Sequence, residues 1–165
     1  MESAQGTIGR IVAVSVSDRK GTKKTNIDSG CLIENFGFKN DAHASKWHRQ
    51  VSLMAMESII KIREKGIDVS PGDFAENITT EGIRLWKLPI GKCLKLGRDV
   101  VAEVTQIGKE CHSRRAIYHQ VGDCVMPREG IFVRILRGGD IEPEDKIELV
   151  EHPESADFLC NSRGQ

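Results

Sequence analysis

Apolar side chains in this chain fall in short, repeatedly interrupted runs rather than long helical stripes, and that rhythm predicts a protein built mainly of β-strands. Residues 8–16 mix β-branched side chains with a rough alternation and lead into Asp18-Arg19-Lys20-Gly21-Thr22-Lys23-Lys24, so a strand is expected to open into an exposed basic loop. A short apolar patch at 31–36 gives way to polar, turn-rich residues 37–47, which puts Asp41-Ala42-His43-Ala44 on a loop. Residues 50–53 read as a short strand. Residues 54–65 read as a helix with Met56, Ile59, Ile60 and Arg63 at helical spacing, stopped by Gly66, its methionines filling core. Beyond it, turns at 71–73 and 81–82 alternate with extended pieces at 77–80, 89–97, 99–107, 131–136 and 146–150. Val100, Val101 and Val104 are expected in the core. At least six short strands point to a closed or partly open β-barrel, or a sandwich, with a few peripheral helices. Residues 1–152 are expected to form one domain, followed by a flexible tail over 153–165.

A chain of 165 residues suits a single core, and with 39% hydrophobic but only 5% aromatic residues that core must be aliphatic. Lys plus Arg and Asp plus Glu both number 24, so no net charge draws the protein to nucleic acid or an anionic membrane, and any anion site must be local. No apolar run approaches the ~20 residues of a membrane span, and the N-terminus lacks the charged and apolar regions of a secretory signal, so a cytoplasmic location is expected. The cysteines, Cys31, Cys93, Cys111, Cys124 and Cys160, form an odd set with no C-x-x-C pair, which suits reduced thiols rather than disulfides or a closed zinc site. Cys31 and Cys93 sit among apolar residues and are expected to be buried; Cys160 belongs to the tail.

The densest polar constellation is Lys109-Glu110-Cys111-His112-Ser113-Arg114-Arg115, directly after a β run. Cations beside a thiol favour its thiolate, which is both nucleophile and metal ligand, and a helix starting at Ser113 would add backbone N–H groups for an anion. The alternative is a packed strand end flanked by surface arginines. Cys124 has fewer basic neighbours and is a candidate resolving thiol. A second cluster, Asn40-Asp41-Ala42-His43 followed by Trp47-His48-Arg49-Gln50, offers an acid/base pair, a metal half-site or ordinary loop hydrogen bonding. A third patch, Asp73, Glu76 and Asn77, is explained by turn chemistry. Asp41, His43 and Cys111 are expected to converge at one mouth of the barrel, with Arg49, Arg114 and Arg115 forming a local anion site.

Four stretches in order carry a resemblance to a known family: Asn40-Asp41-Ala42-His43-Ala44 with Arg49-Gln50-Val51-Ser52-Leu53; Pro71-Gly72-Asp73-Phe74-Ala75-Glu76-Asn77-Ile78-Thr79; Ile107-Gly108-Lys109-Glu110-Cys111-His112; and Gly130-Ile131-Phe132-Val133-Arg134-Ile135-Leu136. Together they resemble the molybdenum cofactor sulfurase C-terminal (MOSC) domain over roughly residues 6–150. The resemblance implies a β-barrel, and it implies that Cys111 is the family's sulfur-accepting or molybdenum-contacting cysteine. Catalytic residues are then Cys111, His112, Asp41 and His43. Cofactor-binding residues are Arg49, Lys109, Arg114, Arg115, Asn77 and Thr79. The implied cofactor is the molybdenum cofactor, without pyridoxal phosphate, which belongs to a desulfurase domain that a chain of this length cannot include.

The implied partners are a cysteine desulfurase as sulfur donor and proteins of molybdenum cofactor biosynthesis or molybdoenzymes, with no nucleic acid and no membrane. The leading expectation is a sulfur carrier. The alternatives are a molybdenum-dependent reductase of N-hydroxylated substrates, with Cys111 as metal ligand, and a non-catalytic cofactor-binding module. The sequence departs from the family pattern at Asn40, where Gly is usual, and Asn tolerates the left-handed backbone such a position demands.

Overall fold

The computed structural model describes residues 8–20, 22–108 and 129–151. The chain runs through β1 (Gly9–Val16), β2 (Thr25–Ile27), β3 (Gly30–Ile33), β4 (Gly37–Phe38), β5 (Val51–Ala55), helix α1 (Met56–Arg63), β6 (Ile78–Glu81), one 3-10 turn (Leu85–Lys87), β7 (Cys93–Leu96), β8 (Val100–Ile107), β9 (Ile131–Arg137), β10 (Gly139–Ile141) and β11 (Lys146–Val150). Seven of these strands close into a barrel in the order β1-β6-β5-β9-β8-β7-β11, with β11 pairing back onto β1. Neighbours are antiparallel except β5 and β6, whose parallel pairing requires a crossover that α1 and the segment after it supply. β3, β4 and β10 form a separate small sheet that adds Leu32, Phe38 and Ile141 to the barrel's core.

Alternation along the strands decides what faces inward. On β5, Val51, Leu53 and Ala55 point into the barrel beside Ile11, Val14, Ile78, Val104, Ile131 and Val133, a solid aliphatic interior. Ser52 and Met54 point outward. They do not reach solvent, because α1 and residues 67–75 lie over this wall and bury Met54, Ile59, Ile62, Val69, Phe74 and Phe132 as a second, smaller core. A strand buried on both faces loses its alternating signature, which is why Met54 and Ala55 read from sequence as helix and belong to β5.

Three expectations need correction. On α1, Met56 and Ile59 face the core as expected, but the buried face continues to Ile62 and leaves Ile60 41% exposed and Arg63 outside, so the phase of the stripe is corrected at those two positions. Cys31 is exposed, since it occupies an outward position in the alternating strand β3, whereas Cys93 is buried as expected. The 18–24 loop is not wholly exposed, because Lys24 turns inward and is buried. Peripheral helix among the described residues comprises α1, the 3-10 turn and the helical Glu129. The 153–165 tail lies outside the described residues.

Candidate functional site

Two loops on the outside of the barrel are bolted together by a buried ion pair. The Lys24 ammonium donates to Asp41 Oδ1 at 2.8 Å, with both side chains essentially inaccessible. The same carboxylate accepts the backbone N–H of Ser17 at 3.0 Å and that of His43 at 3.2 Å, so it ties the end of β1, the basic loop and the 41–49 loop to one point. Asn40, just before it, has φ of 71°, the left-handed conformation that its family counterpart meets with glycine.

From this anchor the loop presents an aromatic and cationic cluster. The Trp47 indole donates to the His43 carbonyl at 3.0 Å, and its ring lies nearly parallel to the imidazole, centroids 6.5 Å apart. The Arg49 guanidinium is held between two rings, 5.2 Å from the Trp47 centroid and 5.7 Å from that of Phe132. Its Nε is buried and has no hydrogen-bond partner among the described residues.

His43, Arg49, Ser52, Phe74, Ala75, Asn77 and Phe132 enclose a cavity of about 10 Å³, room for about one water-sized group. A buried guanidinium N–H without an acceptor, opposite polar walls, fits one oxygen of an anion, and any larger ligand must extend outside the cavity. This cavity lies between the outer wall of β5 and β9 and the 67–77 segment. His43 is therefore placed on the outer face of the barrel and not at a mouth, since the barrel interior is filled by aliphatic side chains; its convergence with Cys111 lies outside the described residues.

The 70–77 segment over the cavity is folded around a buried carboxylate. Glu76 accepts the N–H of Gly72 at 2.8 Å and of Phe74 at 3.2 Å, and the Thr79 hydroxyl at 2.9 Å. Burial pushes the Glu76 carboxyl above the usual carboxylate range, against these hydrogen bonds, which pull it down. The tight path forces Ala75 to φ of 66°, and a side chain at Gly72 would meet the Lys24 carbonyl at 2.4 Å. Asn77 accepts the Ser52 N–H at 3.0 Å and donates to the Ser15 carbonyl at 3.1 Å, stitching the 75–77 segment to β5 and β1. Turn chemistry accounts only for Asp73, whose carboxylate accepts the Ser70 N–H; Glu76 and Asn77 are buried network members, contrary to the sequence reading.

His43, Arg49 and Asn77, all expected site residues, thus share one cavity. Asp41 stands behind it as an anchor, and Thr79 is buried against Glu76 without lining it. Lys109, Cys111, His112, Arg114, Arg115, Cys124 and Cys160 lie outside the described residues. Lys24, Ser52 and Phe132 are not among the expected site residues, and Trp47 enters the sequence reading only as a member of the second polar cluster. A lone tryptophan in an otherwise polar loop was the available signal for Trp47, whereas nothing distinguishes Lys24 from its exposed neighbours. Among the described residues no three His, Cys, Asp or Glu side chains could hold a metal ion. These residues therefore offer a hold for an anionic group such as a cofactor phosphate, while a soft metal ligand would have to come from a thiol. No described helix is long and apolar enough to cross a membrane.

The fold and the polar cavity define a β-barrel domain with its site on the outer wall. The model of the MOSC domain matches residues 40–148, and the chain belongs to this family, which is associated with molybdenum cofactor functions. In fold the chain is similar to YuaD from Bacillus subtilis, at 16% identity and a TM-score of 0.71 over 88% of this chain and 97% of that one. It is also similar to YiiM from Geobacillus stearothermophilus, at 20% identity and a TM-score of 0.67 over 95% and 86%, and to YiiM from Escherichia coli, at 18% and 0.60 over 87% and 70%. Among curated proteins no sequence matches the chain.

Arg49 provides a direct check on the anion reading. Arg49→Lys keeps a charge but loses the planar fork and its stacking between two rings. In a phosphate titration followed by amide chemical shifts, the wild type is expected to show saturable shifts at His43, Ser52 and Asn77, and the variant to bind at least tenfold more weakly. Equal binding by both proteins would remove Arg49 from the site.

Proposed function

We propose that this protein carries sulfane sulfur on Cys111 for molybdenum cofactor metabolism, accepting it from a cysteine desulfurase and handing it to a metal or pterin acceptor. The observation that supports the reading is the position of the anion cavity beside the end of β8, from which the chain leads on to Cys111. β8 and β9 pair up to Ile107 and Ile131, and the Gly108 N–H donates to the Gly130 carbonyl at 2.6 Å, two pairs beyond Phe132 of the cavity wall. Cys111 follows Gly108 by three residues, a reach of at most about 11 Å of chain. A thiolate tethered within that reach of Gly108, at the end of the strand pair that carries Phe132 of the cavity wall, and with Lys109, His112, Arg114 and Arg115 beside it in sequence, would have the electropositive surroundings that a nucleophilic sulfur needs.

In the loading step the Cys111 thiolate attacks the outer sulfur of the donor's persulfide. The donor's S–S bond breaks and releases a thiolate, a new S–S bond forms on Cys111, and no oxidant or reductant is consumed. Arg49, with Asn77 at the cavity wall, would hold an anionic group of the acceptor. Asp41 is a positioning residue that sets the His43 loop, and Thr79 supports the same site through Glu76. A bound molybdenum cofactor would supply the metal as sulfur acceptor.

Incubation with a cysteine desulfurase and cysteine, read by intact mass, is expected to add one sulfur to the wild type and none to Cys111→Ser. Because Cys31 is exposed, Cys31→Ser is the companion variant and is expected to load as the wild type does. An unmodified wild type, or loading that survives Cys111→Ser, overturns the reading. Stoichiometric molybdenum in protein from a molybdenum-replete host would favour the reductase instead, with Cys111 as ligand.

A further inference from the structure

The Lys24–Asp41 bolt has an electrostatic by-product. It holds the 18–24 loop, with its exposed Arg19, Lys20 and Lys23, against the 41–49 loop, with its exposed Lys46 and half-buried Arg49, while the carboxylate between the loops is already neutralised by Lys24. The Lys20 ammonium lies 5.8 Å from the Trp47 ring centroid, on the ring that also takes Arg49. None of these cations makes an ion pair with a described carboxylate. Elsewhere Arg10 pairs with Glu81 and Glu144, Lys61 with Glu129, and Arg134 with Glu103, all at 2.6–2.8 Å. In a chain of zero net charge, an unpaired basic face beside the candidate site is a local feature that the overall composition conceals.

We infer that this face docks an acidic surface of the protein that delivers sulfur to Cys111, an inference that rests on the sulfur-carrier reading. A half-buried tryptophan and an arginine at the centre, rimmed by lysines, is the composition of a protein-binding hot spot with a steering rim. Single-stranded nucleic acid fits less well, because it needs successive aromatic platforms along a groove, and here Trp47 is already stacked against His43 and Arg49. Rim charges of this kind act on the rate of encounter and its salt dependence, so charge reversal should slow delivery by a protein and leave delivery by a small molecule alone.

The test compares two donors, a cysteine desulfurase with cysteine and free cysteine persulfide, on the wild type and on Lys20→Glu/Lys46→Glu, whose side chains lie outside the cavity. Loading is followed by intact mass, with melting temperature as the check on folding. The double variant is expected to load roughly tenfold more slowly from the desulfurase at low salt, with the gap closing at high salt, and at the wild-type rate from cysteine persulfide. An unchanged rate from the desulfurase overturns the docking surface while leaving the sulfur carrier standing. Equal slowing with both donors also overturns it, since the charges would then act on the chemistry. A wild type that loads from neither donor overturns the sulfur-carrier reading and this inference with it. A short labelled oligonucleotide bound by the wild type and released by the double variant would reassign the face to nucleic acid.

Discussion

Asp41→Ala is expected to lower the unfolding free energy by about 3–5 kcal/mol, because it strands the Lys24 ammonium in a site from which water is excluded. The Ser17 and His43 backbone N–H groups lose their acceptor at the same time. Lys24→Met removes the opposite partner, and the carboxylate it leaves keeps two backbone donors, so a smaller loss of about 2–3 kcal/mol is expected. Combining Lys24→Met with Asp41→Leu should recover part of the loss of the Asp41 variant. A buried pair exchanged for apolar side chains costs less than one broken in half, but the two orphaned N–H groups remain. Urea denaturation of the four proteins measures this directly through the midpoint, provided the slope is unchanged. A loss below about 1 kcal/mol for Asp41→Ala would mean that water reaches the pair and screens it, as at an exposed salt bridge. The local consequence is as informative as the global one. With the bolt gone the 41–49 loop loses its tether, so Asp41→Ala should also weaken phosphate binding at Arg49.

Glu76 is expected to show the second large effect, with a definite sign in pH. Glu76→Ala leaves the Gly72 and Phe74 N–H groups and the Thr79 hydroxyl unpaired beside a new cavity, at a cost of about 3–5 kcal/mol. Burial raises the folded-state pKa above the ordinary value of 4.5, so between that value and the raised one the folded protein holds a proton that the unfolded chain has released. The contribution of Glu76 to stability is therefore greatest below pH 4.5 and declines as pH rises through the folded pKa, beyond which the carboxylate is ionised in both states. Glu76→Gln cannot titrate. Its amide nitrogen must face a backbone N–H, so it is less stable than the wild type, but the difference should narrow as pH rises. Melting temperatures of the pair across pH 4 to 8 test this. A difference that widens with pH would mean that the hydrogen bonds outweigh burial and the carboxyl is held below its usual range.

The mainly β architecture was legible because most strands announce themselves locally. Residues 8–16, 99–107, 131–136 and 146–150 carry β-branched runs between turns, and the strands lie within a residue or so of those bounds. The strands that escaped notice, β2, β4 and β10, have only two or three residues and no apolar run of their own, and they exist because a longer neighbour pairs with them. The phase of α1 was misjudged for a related reason. Several isoleucines compete for one face, and only Phe74 and Phe132, distant in sequence, decide that Ile62 rather than Ile60 goes inside.

For the candidate site, the sequence by itself singled out the candidates His43 and Arg49 on a polar loop and Asn77 after a turn, and it determined the family through the order of four short stretches. Tertiary structure alone decided that these three meet, and that they meet on the outer wall of the barrel instead of at its mouth. Strand alternation directs Ser52 and Phe132 outward, and the crossover required by the parallel β5–β6 pair lays residues 67–75 over them. It alone also separated Lys24 from the exposed lysines beside it, and Asp41 from the reacting groups. Burial of a charge is a property of everything packed around it, and identical side chains in one loop acquire opposite roles once only one of them finds a buried carboxylate at 2.8 Å.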